Sequence, residues 1–161
     1  MNLLLLKQLS ILGLFAGAVI GLIATIPFLF WLCILVAMFW ISAFVLIYLK
    51  QNDLIGIINV REGSIFGAAI GFVAFIAFSI VFIPISSIIG LIFKSYPLDV
   101  LGFFMNDFGS FIVLILLIIS TAGLAALFNG FTGLITAYIY ELINGVKKEN
   151  NENNTIDFNI Q

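Results

Sequence analysis

Charged residues are absent from three long stretches of this chain, and that pattern predicts membrane-spanning helices. The stretches cover residues 8–49, 63–93 and 108–140. A charge at the centre of a bilayer costs about 2.5–3.5 kcal/mol on insertion scales, whereas a soluble domain carries charges on every exposed face. We therefore predict an all-α integral membrane protein.

Helix length and the position of prolines divide these stretches into four predicted spans. About 20 helical residues cross the ~30 Å hydrocarbon core, so the first stretch must fold back once. Pro27 marks that turn and Pro84 bends or ends the third span, because proline lacks an N–H and disfavours helix at the residue before it. The predicted spans are residues 9–26, 31–49, 60–83 and 110–142, within a four-helix bundle formed by residues 1–146.

The segments between and after the spans are predicted to lie at or outside the membrane surface. Residues 54–58 are apolar and favour an extended stretch at the interface, and Asn59 with Glu62 forms a capping box for span three. A short interfacial segment is predicted between spans three and four, and a re-entrant course for residues 84–107 remains open. Residues 147–161 are polar and rich in Asn, which predicts a disordered cytoplasmic tail.

The basic residues are unequally divided between the two sides of such a bundle. With four spans, both termini and the loop at residues 50–62 share one side. Cytoplasmic loops carry an excess of Lys and Arg, so both termini are predicted to be cytoplasmic. The abundance of Ile, Phe, Leu and Asn suits a bacterial protein, so we expect the bacterial inner membrane. The shared side carries Lys7, Lys50, Arg61, Lys147 and Lys148, and the opposite side carries Lys94.

Small residues recur at helical spacing and predict where helices pack closely. Glycine at every fourth position leaves one face of spans one and three without side chains, which is the GxxxG or glycine-zipper pattern. We expect each face to lie against another helix, and the two faces lying against each other is one arrangement the spacing permits. Span four has steps of three and four instead. The predicted packing residues are Gly13, Gly17, Gly21, Gly63, Gly67, Gly71, Gly123, Gly130 and Gly133.

Two likenesses bear on the architecture. Residues 13–28 align without gaps on residues 63–78 with eight of sixteen positions identical, which leaves duplication of a two-helix hairpin and chance similarity both open. The stretch from Ile57 to Gly71, in which a short extended segment leads into the glycine-spaced span, resembles uncharacterised small four-span bacterial membrane proteins. The resemblance implies a four-span membrane fold and carries no activity over to this chain.

Span four also carries a line of polar residues beside its small residues. We call Asn129, Thr132, Thr136 and Tyr140 the polar seam; Asn129 is the one amide deep within a charge-free stretch. One interpretation is hydrogen bonding between helices, worth about 0.6 kcal/mol per bond on average. The other is the lining of a path for a substrate or ion. We favour hydrogen bonding, because Ser and Thr are ordinary residues in membrane spans.

The residue inventory argues against catalysis. The chain has no histidine and a single cysteine, Cys33, which excludes a His/Cys metal cluster and an intramolecular disulfide. Glu62, Asp99 and Asp107 are isolated and lie near predicted span boundaries, where helix capping or solvation explains them. No basic patch suits nucleic acid. We expect no catalytic residue, no cofactor and no bound metal.

Two classes of function remain. A coupled transporter usually places an ionisable residue near the membrane midplane, but the nearest candidate, Glu141, lies at the cytoplasmic end of span four. We therefore expect a non-catalytic multi-pass protein that serves as an assembly partner or subunit. Its expected partners are the lipid bilayer and either a second copy or another membrane subunit. The alternative is a small channel or transporter with a path lined by span four.

Overall fold

The computed structural model describes residues 3–52, 54–56, 58–93 and 108–156. Within them every regular element is a helix, so the prediction of an all-α protein is confirmed for this part of the chain. The elements are α1 (Leu3–Ile23), α2 (Phe30–Leu35), a π turn (Val36–Trp40), α3 (Ile41–Gln51), α4 (Val60–Phe93) and α5 (Phe108–Ile156).

Three helical segments are long and apolar enough to cross a membrane. They are Phe30–Gln51, Val60–Gly90 and Gly109–Ile143, with mean hydropathies of 2.6, 2.6 and 2.8. The first of them joins α2, the π turn and α3 into one rod. A further apolar helix, Lys7–Ile23, is shorter. These segments indicate a membrane protein.

The first two helices meet at a turn around Pro27. α1 ends at Ile23, before the predicted end at residue 26, and α2 begins at Phe30. The backbone N–H and the hydroxyl of Thr25 both donate to the carbonyl of Leu22, at 3.2 and 2.6 Å. The bonds satisfy a carbonyl that the end of a helix leaves without an intrahelical partner, so α1 finishes ahead of the proline.

Pro84 does not end the third predicted span. α4 continues through it to Phe93, past the predicted end at residue 83. Proline removes one N–H from the helical ladder, and hydroxyl side chains commonly compensate in membrane helices. Here the hydroxyls of Ser86 and Ser87 both donate to the carbonyl of Ile83, at 3.0 and 2.9 Å. In an α-helix the N–H of residue 84 would donate to the carbonyl of Ile80, so these hydroxyl bonds reinforce the turn that contains the proline and do not replace the missing bond.

α5 is also longer than predicted. The span predicted at residues 110–142 lies inside a helix that reaches Ile156. The polar residues 147–156 are therefore helical, which corrects the prediction of disorder there, and residues 157–161 lie outside the described part of the chain. Lys and Glu are frequent at the start of this polar segment, and both have favourable helix propensities.

The segment between α3 and α4 folds back on the helices. Ile55 is buried and belongs to the same apolar cluster as Leu49, rather than lying extended at an interface. The ammonium of Lys50 donates to the carbonyl of Gly56 at 3.3 Å. α4 begins at the residue after Asn59, where the sequence predicts a helix start. The predicted interfacial segment before α5 falls largely outside the described residues.

α4 is the central helix of the fold. It packs along α1 on one side and along α5 on another, and these are the most extensive contacts between elements. α5 lies at the edge: 17% of its most apolar window is buried, against 44% for α4. The inner residues of α5 therefore have to hold it against α4 and α3, and the polar seam begins among them.

Candidate functional site

The glycines of α1 lie against the backbone of α4. A Cβ atom on Gly17 would overlap the carbonyl group of Ala74. A backbone carbonyl cannot move aside as the end of a flexible side chain can, so a larger residue would have to displace a helix. The same approach, at distances of 3.2 and 2.9 Å from a built Cβ to the carbonyl oxygen, holds for Gly13 against Ile70 and for Gly21 against Phe78.

The glycines of α4 face a different helix. A Cβ on Gly67 would overlap the carbonyl of Asn129, and one on Gly71 would lie 2.5 Å from the Asn129 Cβ. A Cβ on Gly63 would lie 2.5 Å from the Cβ of Ala137. The α4 glycines thus pack on α5, and the arrangement in which the two glycine triplets face each other is not the one adopted.

Two of the three predicted packing glycines on α5 lie close to α4. A Cβ on Gly133 would overlap the carbonyl of Gly63, and one on Gly130 would come within 3.3 Å of α4. Gly123 differs from the prediction, because a Cβ there would meet no atom of the described residues within 4 Å. Its neighbour Ala122 is fully buried instead. At this level of α5 the inward position has moved by one residue.

Asn129 is completely buried where α4, α5 and the π turn meet. Its Nδ2 donates to the carbonyl oxygens of Ala37 and Met38 at 3.1 and 2.8 Å, and to that of Ala125 at 2.9 Å. Its Oδ1 accepts the backbone N–H of Ser42 at 2.9 Å. Three acceptors share the two hydrogens of the amide, so at least one hydrogen is shared between two carbonyls.

These bonds account for the π turn. In an α-helix the N–H of Ser42 would donate to Met38, and that of Ile41 to Ala37. Here the N–H of Ile41 donates one residue further back, to Val36. The asparagine carboxamide takes the vacated places, donating to both released carbonyls and accepting the released N–H. A side chain inserted into the ladder in this way is a recognised cause of a distorted helix.

Ser42 completes the buried network and was not predicted from the sequence. Its hydroxyl donates to the carbonyl of Asn129 at 2.8 Å and lies 2.8 Å from the hydroxyl of Thr132. The Thr132 hydroxyl is also within 3.1 Å of that carbonyl. One signal could have identified it: Ser42 is the only Ser or Thr between Trp31 and Leu49, and a lone hydroxyl in an apolar span needs a partner.

Thr136 and Tyr140 of the polar seam face a groove rather than the network, and Thr132 belongs to both. The hydroxyl of Thr136 donates to its own helix, at the carbonyl of Thr132, over 2.8 Å. Thr132, Thr136 and Tyr140 line a groove of about 430 Å³ between α3 and α5 that opens at the protein surface, and Asn129 is not part of its wall. The structure therefore splits the seam, with Asn129 on the buried side and Tyr140 on the groove side.

The site holds helices together through amide and hydroxyl groups. Every buried polar side-chain atom in the described residues has a hydrogen-bond partner. Cys33 is a free thiol inside an apolar cluster. Within the described residues, no three His, Cys, Asp or Glu side chains lie close enough together to hold a metal ion.

Comparison of the chain with known protein families, with curated proteins and with solved structures found no match.

Proposed function

We propose that this chain is a non-catalytic multi-pass membrane protein that acts as an assembly partner or subunit. The observation that carries the proposal is the engagement of Asn129, whose amide hydrogens and Oδ1 are all bonded to backbone groups within a fully buried site. A residue that binds a passing solute needs hydrogens or lone pairs directed at the path. Here that capacity is used to hold α5 against the π turn and α3.

We further propose that the protein crosses the membrane four times, with α1 as the first span. α1 has 21 residues, and at ~1.5 Å per residue it rises about 31 Å, which matches a hydrocarbon core of ~30 Å. Its outer face exposes large apolar side chains, among them Leu14 and Phe15. Contact with lipid favours such a face, whereas contact with water opposes it.

The proposed orientation places both termini in the cytoplasm of a bacterium, with the chain in the inner membrane. Lys50 and Arg61 lie at the end of the bundle where Tyr48 and Tyr138 are exposed, and tyrosine is enriched at membrane interfaces. Protease added to intact spheroplasts should leave a C-terminal tag uncut and remove it only after lysis. Removal of the tag from intact spheroplasts would overturn the orientation.

The assembly role is tested by isolating the tagged full chain from native membranes in a lipid-retaining polymer. We expect a second copy or one other membrane protein to remain attached at near-equal stoichiometry through washing. An unrelated membrane protein with the same tag and abundance is the control for carry-over. A chain recovered as a lone monomer, judged by its mass, would contradict the assembly role.

A small channel or transporter is the second candidate, and the groove lined by Thr132, Thr136 and Tyr140 favours it. Flux through reconstituted liposomes tests it directly. If the groove conducts, Thr136→Val should lower the flux while leaving the protein folded, because the Thr136 hydroxyl bonds only a carbonyl of its own helix. Flux no greater than that of empty liposomes would leave the assembly role as the better account.

A further inference from the structure

Two surface grooves of nearly equal volume differ in the chemistry of their walls. One, of about 430 Å³, lies between α3 and α5 and includes the polar side chains of Thr132, Thr136 and Tyr140. The other, of about 420 Å³, lies between α1 and α4, and the residues that line it, such as Leu14 and Ile80, are all apolar. The first groove therefore differs from the second in having polar side chains in its wall.

The polar groups at the inner end of the α3–α5 groove are already committed to the protein. The Thr132 hydroxyl lies in the network with Ser42 and Asn129, and the Thr136 hydroxyl donates to the carbonyl of Thr132. The adjoining wall consists of hydrocarbon, including Ile135. A molecule bound at this end would contact mainly apolar atoms, so the part of that molecule lying here must be apolar.

The groove has the length of one membrane leaflet. From Thr132 to Ile143, the two ends of its α5 wall, the helix rises about 16 Å at ~1.5 Å per residue. That is about half of the ~30 Å hydrocarbon core. An extended chain that follows the groove would run from the membrane midplane to its surface.

The outer end of the groove is charged. Tyr140 lines both the groove and a small adjoining cavity that Lys50 and Glu141 also line. The ammonium of Lys50 has three hydrogens, and the structure shows one bonded to the carbonyl of Gly56. Lys50 can therefore also donate to a phosphate, while the exposed Glu141 favours a head group with a positive charge beside that phosphate.

We infer that the groove between α3 and α5 binds one phosphatidylethanolamine molecule. One acyl chain lies along Ile135 and Thr136, the phosphate contacts Lys50, and the ammonium of the head group lies beside Glu141. The inference rests on the membrane location proposed above, and it adds a particular lipid and a particular face to that proposal.

The test begins with the full chain reconstituted in vesicles of phosphatidylethanolamine and phosphatidylglycerol. Co-flotation with these vesicles checks the membrane location by itself. The protein is then extracted in mild detergent, and the phospholipids that remain bound are counted and identified by native mass spectrometry. We expect one retained lipid per chain, predominantly phosphatidylethanolamine.

Groove-filling variants locate the retained lipid. Ile135→Trp should lower the retained fraction about tenfold, the factor that 1.4 kcal/mol of lost contact corresponds to. Ala43→Leu, from the opposite wall, should lower it in the same direction. Ile80→Trp is the matched control, because Ile80 is also exposed and lines the other groove of similar volume. That variant should retain lipid as the unaltered chain does.

Charge variants identify the head group. Lys50→Gln should weaken retention of both lipids about fivefold, the effect of one basic residue near the head groups. Glu141→Gln should remove the preference for phosphatidylethanolamine over phosphatidylglycerol and leave total retention unchanged.

Several results would overturn the inference. One is a folded chain that floats with vesicles yet retains no lipid, and another is equal loss of lipid from Ile135→Trp and Ile80→Trp. A dimer that Ile135→Trp converts to monomer would assign the groove to a second copy of the chain. Failure to float would instead reject the membrane location, so the two proposals can fail separately.

Discussion

The two sides of α4 both rely on glycine but hold their partner helices in different ways. On the α1 side the glycines belong to the partner, and Gly17 meets the backbone of Ala74 in an apolar contact. On the α5 side both helices contribute glycines, and Gly67 and Gly71 of α4 approach Asn129. Shape alone sets the distance on the first side. On the second side, an amide also bonds a third helical rod.

The difference indicates what each contact can specify. Close packing of backbones fixes how near two helices lie, but it supplies no directional bond between them. The hydrogen bonds from Asn129 to Ala37, Met38 and the N–H of Ser42 have fixed directions, so they also fix the rotation and the register of the α2–α3 rod. Variants on the α1 side should therefore test how near two helices lie, and variants at Asn129 should test the register of the α2–α3 rod.

The largest effect is expected from filling the closest backbone approaches. Gly17→Ile and Gly67→Ile should each lower the free energy of unfolding by about 3 kcal/mol or more, because the new Cβ would overlap a backbone carbonyl on either side of α4. Unfolding titrations in mixed micelles measure the loss. If only one of the two variants is destabilising, overlap with a backbone carbonyl does not limit residue size on both sides of α4.

Controls for these variants lie on the same helices. Leu14 is exposed on α1, so Leu14→Ile changes shape without entering the interface. Gly123→Ile on α5 adds bulk where no described atom lies within 4 Å of a built Cβ. Both controls should remain within about 0.5 kcal/mol of the unaltered chain, as surface substitutions usually do.

A smaller loss is expected when the amide alone is removed. Asn129→Leu should lower the free energy of unfolding by about 1–3 kcal/mol, because it leaves the carbonyls of Ala37 and Met38 and the N–H of Ser42 without that partner. Relaxation of the π turn into an α-helix would recover part of the loss. The same titration measures it.

Ser79→Ala is the matched control for the amide. The Ser79 hydroxyl is also buried, but it donates to Phe75 of its own helix, at 2.9 Å. Its removal should cost about 0.5 kcal/mol or less, since a bond within one helix orients no neighbour. Equal losses for Asn129→Leu and Ser79→Ala would show that the buried network contributes nothing beyond local bonding.

A stabilising change is expected at Gly123, the predicted packing glycine that lies against no other helix in the described residues. Gly123→Ala should raise the free energy of unfolding by up to about 1 kcal/mol, because alanine has the better helix propensity and the new methyl group has room. Gly67→Ala, at the closest approach to α5, should lower stability instead. A loss at both positions would mean that α5 has an unseen neighbour near Gly123.

The smallest effect is expected in the part of the polar seam that faces the groove. Thr136→Val should change the free energy of unfolding by less than about 0.5 kcal/mol, because the Thr136 hydroxyl bonds only a carbonyl one turn earlier. Thr132→Val should cost more, about 0.6–1.7 kcal/mol, which runs from the average to the maximum measured for hydrogen bonds between membrane helices. Equal effects would remove the distinction between the two halves of the seam.

Local sequence properties determined the class of the fold. Absence of charge over residues 8–49, 63–93 and 108–140 is enough to predict long apolar helices, because the cost of a buried charge applies residue by residue. The turn near Pro27 is predictable for a similar reason, since proline restricts its own residue and the one before it. Glycine spacing likewise marks a helix face that permits close approach, without naming its partner.

The tertiary structure decided which groups meet. The α4 glycines could have met those of α1, but they meet α5, where Asn129 supplies bonds that the apolar side lacks. Ser42 and Asn129 are 87 positions apart, and neither sequence context predicts a π turn. That turn exists because a side chain from one helix replaces the backbone partners of another, and only the folded arrangement of helices brings the two together.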